Sequence, residues 1–250
     1  LLAITVRHKH LPYIVGGLLV GYFVLLMAGN GFAYDETNIL SIVDRAVLTD
    51  AHMYHDNGID PEGLLSTLPS IAHTLLGFII GSLLFRKADA GEQQLDARAN
   101  ITLTKVVPLF VVGTSLLFAG YLLSYGCPIN KKVWSPTFVL VTCGLASMLL
   151  ALLTWIIDVK GKKSWSKFFE VFGVNPLFLF VLSDFFAIVF GAFTFPVGDK
   201  QMNVVGFVYS QLLSPVFGEY GGSLVYSLLF IALNWVIGYQ LYKRKIYIKL

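Results

Sequence analysis

Charge is the scarcest property of this 250-residue chain: 13% of its residues are Asp, Glu, Lys or Arg, and 56% are hydrophobic. A soluble domain carries about a quarter charged residues, so this composition excludes an ordinary water-soluble core. Two cysteines, Cys127 and Cys143, are too few for a disulfide framework and lack metal-ligand spacing, so they read as packing residues. There is no glycine-rich phosphate loop, no G-x-S-x-G elbow and no H-E-x-x-H pair, and the chemistries those motifs carry have no residues to run on. His52 and His55 stand three apart without further ligand spacing, and no metal is expected. The net charge is +3, and no nucleic-acid partner is expected. The opening LLAITVRHKH is unlike a signal peptide, because it places its positive charge after the apolar run instead of before it. It reads as the tail of an apolar segment that reaches water at Arg7, which predicts a start inside a longer protein, with earlier membrane helices before it.

What the chain has in abundance is apolar length. Mean hydropathy is +0.72, and Phe and Tyr number 20 and 12. A spanning helix needs about 20 mostly apolar residues. Leu11–Ala28, Leu64–Phe85, Leu103–Ser124, Thr137–Ile157, Gly173–Phe195 and Gly222–Tyr242 qualify. None alternates as a barrel strand would, and backbone groups in lipid must pair internally. The expectation is an all-α polytopic membrane bundle of about six transmembrane helices, forming one domain over residues 1–250, with residues 29–63 as an outer loop.

Lys and Arg set the orientation. Arg7, Lys9, the 86–105 connection, the Lys160–Lys167 segment and the Lys243–Lys249 end place 14 on one side. Arg45, Lys131, Lys132 and Lys200 place 4 on the other. The rule predicts that both chain ends are cytoplasmic and that the 29–63 loop faces out.

Ionisable residues inside a span are costly and mark cavities or sites. His73, Asp184 and the polar Asn234 fall inside predicted helices, with His73 about 15 Å along the second. Glu62, Ser66, Pro69, His73 and Gly77 recur at steps of three and four and would share one face of that helix. Thr67, Ser70 and Thr74 flank it, and their hydroxyls suit helix contacts. Pro69 is expected to bend the helix. Before it, DPEG reads as a helix start: Asp60 as cap, Pro61 at the first helical position, Glu62 in the first turn. KGKKSWSKFF, Lys160–Phe169, suits a membrane-surface anchor, with aromatics at headgroup depth and lysines on anionic lipid. The sharper alternative is a rim for the phosphates of a nucleotide-bearing cofactor.

These motifs carry a resemblance. VDRAVLTDAHMY followed by DPEGLLSTLPSIAHTLLGFIIG, then IIDVKGKKSWSKFFEVFGVNPLFLFVLS with its DVKG and G-x-N-x-L segments, and the ending YQLYKRKIYIKL are similar to the heparan-α-glucosaminide N-acetyltransferase family. The chain looks most like bacterial members labelled as N-acetylglucosamine-related transporters. The resemblance implies an N-acetyltransferase of the bacterial inner membrane, taking acetyl from cytoplasmic acetyl-CoA to an amino sugar or glycan on the outer side. The family's catalytic histidine lies in a segment upstream of the matched part, so no histidine of this chain takes that role. With the resemblance, Asp56, Asp60, Glu62, Ser66, His73, Asp184 and Asn234 are candidates for the acceptor. Lys160, Lys162, Lys163, Lys167 and Asn175 are candidates for acetyl-CoA. Expected partners are membrane lipid, the sugar acceptor, the preceding transmembrane helices and a second copy in a homodimer. An amino-sugar transporter and a non-catalytic membrane subunit stay open as alternatives.

Overall fold

A computed structural model describes residues 2–54, 58–85, 96–198 and 200–248. The chain divides into two compact units, Leu1–Gly161 and Lys162–Leu250. In the first unit a short α1, Leu2–Thr5, leads to α2, Leu11–Ala28, and α3, Ile39–Leu48. Then comes α4, Thr67–Ser82, prolonged by a 3-10 turn to Phe85. Next, α5, Ala97–Ile101, runs through a π-turn into α6, Val107–Leu123. The unit ends with α7, Pro136–Thr154, and a π-turn Trp155–Val159. The second unit holds α8, Ser166–Val174, α9, Pro176–Ala192, and an antiparallel hairpin of β1, Thr194–Val197, and β2, Lys200–Asn203. It closes with α10, Val204–Phe207, which continues through a π-segment into α11, Ser214–Lys243.

Among the described residues five helices are long and apolar enough to cross a membrane, and α8 with α9, bent by 86° at their junction, makes a sixth if counted as one span. The protein is an all-α, multi-pass integral membrane protein. The first span matches the sequence expectation at both ends, because local signals bracket it: Pro12 falls in its first turn, and the Gly29-Asn30-Gly31 run follows it. The fifth departs from expectation. Asn175 and Pro176 break the apolar run, so α9 starts at Pro176, and α8 becomes a separate helix with Trp165, Phe168 and Phe169 exposed along it. The last helix also carries a break. Gly218 has φ +72°, a left-handed value that glycine adopts without strain, so the uninterrupted apolar segment lies beyond it.

The core of the first unit lies among α2, α4, α6 and α7: Leu11, Val15 and Leu19 meet Ala72, Leu75, Leu76 and Ile80, with Leu109, Val139, Cys143 and Ala151. Apolar lipid gives no hydrophobic drive between helices, so close packing and interhelical hydrogen bonds must supply it. The α6–α7 contact uses both. Gly113 and Gly144 bring backbone against backbone, and Ser147 Oγ donates to the Leu109 carbonyl at 2.8 Å.

Candidate functional site

The described parts of the outer loop, residues 29–54 and 58–63, form a cap on the first unit. Asn38, fully buried, is its hub: Nδ2 donates to the carbonyls of Gly31 at 3.0 Å and Ala33 at 2.9 Å, while Oδ1 accepts the Leu40 N–H and caps α3. Tyr22, Leu26, Leu40, Ile59 and Val133 form a second apolar cluster there, and Tyr22 OH donates to the Val133 carbonyl at 2.7 Å. This ties the end of α2 to the loop before α7.

The start of the second span differs from expectation. Asp60 does not cap it; its Oδ1 accepts the Glu62 N–H at 2.8 Å and its Oδ2 the Tyr54 N–H at 3.1 Å, closing the loop on itself. The helix begins at Thr67, so Glu62 is exposed on a turn and is not the first member of a helical stripe. Pro69 falls in the first turn, where an N–H has no intrahelical partner anyway, so its ring removes no helix hydrogen bond. His73 then lies about 9 Å along the helix at 1.5 Å per residue, nearer the cap than expected. The flanking hydroxyls bond back to their own helix, Ser70 to Ser66 and Thr74 to Ser70.

No side chain caps the start of this helix, and it is Asp44 that holds the turn leading into it. Asp44 lies on α3, is 0% exposed, and its Oδ1 accepts the Leu64 N–H at 2.8 Å across 20 residues. Its Oδ2 rests over the α-carbon of Gly63, where a side chain would collide with it. Burial pushes the Asp44 carboxyl above its ordinary range, the Leu64 N–H opposes this, and the Asp60 carboxylate adds to the rise. Asp44 Oδ2 and the buried Ser41 Oγ have no hydrogen-bond partner among the described residues. Neither Asp44 nor Asp60, itself 5% exposed, is in an ion pair there.

Near the cap, His73 meets an aromatic wall. Its ring lies 5.9 Å from that of Trp134 and 6.3 Å from that of Phe138. Thr142 Oγ1 donates its one proton to the Phe138 carbonyl at 2.7 Å, so towards His73 Nε2, 3.4 Å away, it can act as acceptor. That assigns the neutral ring's proton to Nε2 and leaves a lone pair on Nδ1, which is buried with no donor among the described residues. Trp134 Nε1 is a buried N–H with no acceptor among them. Trp134 also has φ +50°, which strains a bulky residue. A lone pair and an N–H donor thus stand unmatched on adjoining rings, an arrangement that suits a hydroxyl able to donate and accept.

In the second unit, Asn175 is buried, and its amide holds the end of the chain: Nδ2 donates to the Ile246 carbonyl, and Oδ1 accepts the Ile248 N–H. Lys162, Lys163 and Lys167 are exposed, and Lys167 Nζ sits 5.9 Å from the Tyr239 ring centre. Trp235 stacks on Phe168 and Tyr239 and donates to the Phe168 carbonyl, which packs α8 along α11. Asp184 is exposed on α9, and Asn234 is buried in α11. In the first unit, Lys160 is exposed and lies over the Trp155 ring.

No family model matches the chain. Two curated proteins do. It is 26% identical over 231 residues, 83% of its length, to the heparan-alpha-glucosaminide N-acetyltransferase of Mus musculus. To that of Homo sapiens it is 26% identical over 219 residues. The chain is thus similar, though only distantly, to heparan-alpha-glucosaminide N-acetyltransferases. It spans about 30% of the length of these relatives.

The first unit brings Asp60 near Asp44, and Asp44 near Tyr22, two residues that sequence reading passed over. Ser66 Oγ donates to the Gly63 carbonyl at 2.6 Å. His73 gains Trp134 and Thr142, which sequence reading also missed. VDRAVLTDAHMY contains Asp44, but nothing in its spacing says that the carboxylate reaches Leu64. Asp56 lies outside the described residues.

Proposed function

We propose that the protein moves an acetyl group from acetyl-CoA on the cytoplasmic side of a bacterial inner membrane to the amine of a glucosamine-type sugar on the other side. The observation that carries this is the similarity to acetyltransferases, which extends along 83% of the chain. Asp44 and Asp60, which form no ion pair among the described residues, suit an ammonium-bearing acceptor. His73 Nδ1 and Trp134 Nε1 suit its hydroxyls. Lys160, Lys162, Lys163 and Lys167 suit the phosphates of CoA. In the reaction the sugar ammonium first gives one proton to solvent, the free amine nitrogen then bonds the acetyl carbon, the carbon–sulfur bond breaks, and the second proton lost by nitrogen ends on the CoA thiol.

Full-length protein in proteoliposomes, given acetyl-CoA at the Lys160–Lys167 face and glucosamine at the cap face, is expected to release CoA thiol and N-acetylglucosamine in equal amounts. Sugar crossing the membrane with no thiol released would replace this reading with the transporter. Sidedness has its own check. Cysteines introduced between Gly29 and Gly63 are expected to react with an impermeant maleimide in intact spheroplasts, and cysteines between Lys160 and Lys167 to react after lysis alone. The inverse pattern would reverse the orientation.

A further inference from the structure

Asn234 is 4% exposed in the middle of α11. Its Nδ2 donates to the Phe230 carbonyl at 2.9 Å. A carbonyl can act solely as acceptor, so this bond fixes which end of the amide is which. Oδ1 is therefore the free end, and it has no donor among the described residues. An unpaired amide oxygen in hydrocarbon is costly, because no water is there to serve it. Asn234 lines a groove of about 380 Å³ whose other walls include Phe172, Pro176, Leu179, Phe180 and Ser183. Such a groove asks for a guest that is apolar in body and carries an N–H. A lipid acyl chain matches the walls but has no N–H and leaves Oδ1 unpaired.

Charge lies near one end of this groove. Phe172 belongs to α8, the helix that carries Lys167, and Lys167 Nζ is 5.9 Å from the Tyr239 ring centre. Tyr239 is five residues beyond Asn234 on α11, about 7.5 Å along the axis at 1.5 Å per residue. Lys162 and Lys163 lie in the exposed segment leading into α8. Exposed lysines, with the Glu170 carboxylate among them held by Ser166 and Tyr242, are thus followed, at that distance along an apolar wall, by a buried amide acceptor.

We infer that this groove holds the pantetheine arm of acetyl-CoA, with the lysines on its phosphates, its dimethyl carbon against the aromatic wall and an arm amide N–H donating to Asn234 Oδ1. The inference rests on the acetyl-CoA reading above. In CoA the first amide follows the diphosphate by one short branched chain, which is the order the groove presents.

The test is calorimetric binding to the full-length protein in lipid nanodiscs, with CoA, a CoA analogue N-methylated at the arm amides, and adenosine 3′,5′-bisphosphate, which has no arm. Asn234→Leu is expected to weaken CoA binding about fivefold to tenfold, the worth of one hydrogen bond, and to leave the bisphosphate unchanged. The methylated analogue should lose a similar factor on the wild-type protein, which keeps the test independent of how the variant folds. Lys162→Gln, Lys163→Gln and Lys167→Gln together should weaken CoA and the bisphosphate alike and flatten the dependence on salt. Equal CoA affinity for wild type and Asn234→Leu, or no penalty for the methylated analogue, would overturn the pantetheine site while acetyl-CoA use stood. A wild-type protein that binds no CoA would overturn both.

Discussion

Gly144→Val is expected to leave little folded protein in the membrane and to destabilise what remains by about 3 kcal/mol or more. A β-carbon at Gly144 would stand 2.7 Å from the Leu117 nitrogen and 2.8 Å from the Gly113 carbonyl oxygen. These are backbone atoms of α6, so no rotamer change relieves the overlap and the two helices must part. Parting them also breaks the Ser147 to Leu109 hydrogen bond, which no water replaces in lipid. Gly16→Ala is the control. Nothing lies within 4 Å of a β-carbon there, so the change should be neutral or raise stability by up to about 1 kcal/mol through helix propensity. Thermal unfolding in detergent measures both. Equal melting temperatures for Gly144→Val and wild type would mean that α6 and α7 are not held by this contact.

Asp44→Leu should rank next, destabilising by about 1–3 kcal/mol through the loss of the acceptor for the Leu64 N–H. Asp44→Asn keeps an oxygen acceptor and removes the buried charge, so it should be at least as stable as wild type at neutral pH. The two variants separate hydrogen bonding from charge. The pH dependence follows from the raised Asp44 carboxyl. The folded state holds the proton more tightly than the unfolded one, so this group's contribution is fully present below the ordinary carboxylate value. It is lost as pH rises through the higher folded value. Relative to Asp44→Asn, wild type should therefore lose stability over that window. Melting curves of wild type and both variants across pH decide it; a wild type that gains on Asp44→Asn as pH rises would show that the carboxylate is stabilised where it sits. If Asp44 also meets the acceptor's ammonium, Asp44→Asn should raise the acceptor KM while the protein stays folded.

By itself, the sequence determined the membrane class, the all-helical content and the approximate positions of the spans. Each of these depends on local quantities: apolar run length, the need of every backbone group in lipid for a partner, and the breakers beside each run. Leu11–Ala28 is legible to the residue for that reason. The site was legible in part. His73 and Asn234 stand out as polar residues in apolar runs, but their meaning depends on partners elsewhere. Trp134 and Thr142 lie 61 and 69 positions from His73, and the Phe230 bond that frees Asn234 Oδ1 is a detail of side-chain orientation. DPEG has the letters of a helix start, yet the Tyr54 and Glu62 amides engage Asp60, and the start moves to Thr67. The tertiary structure decided that it is Asp44, 20 residues away, that holds the Leu64 N–H. It likewise decided that Asn175 and Pro176 end one helix and begin another. Hydrogen bonds between distant segments leave no periodicity along a chain; they exist once packing has brought a donor and an acceptor together and removed the water that would otherwise serve them.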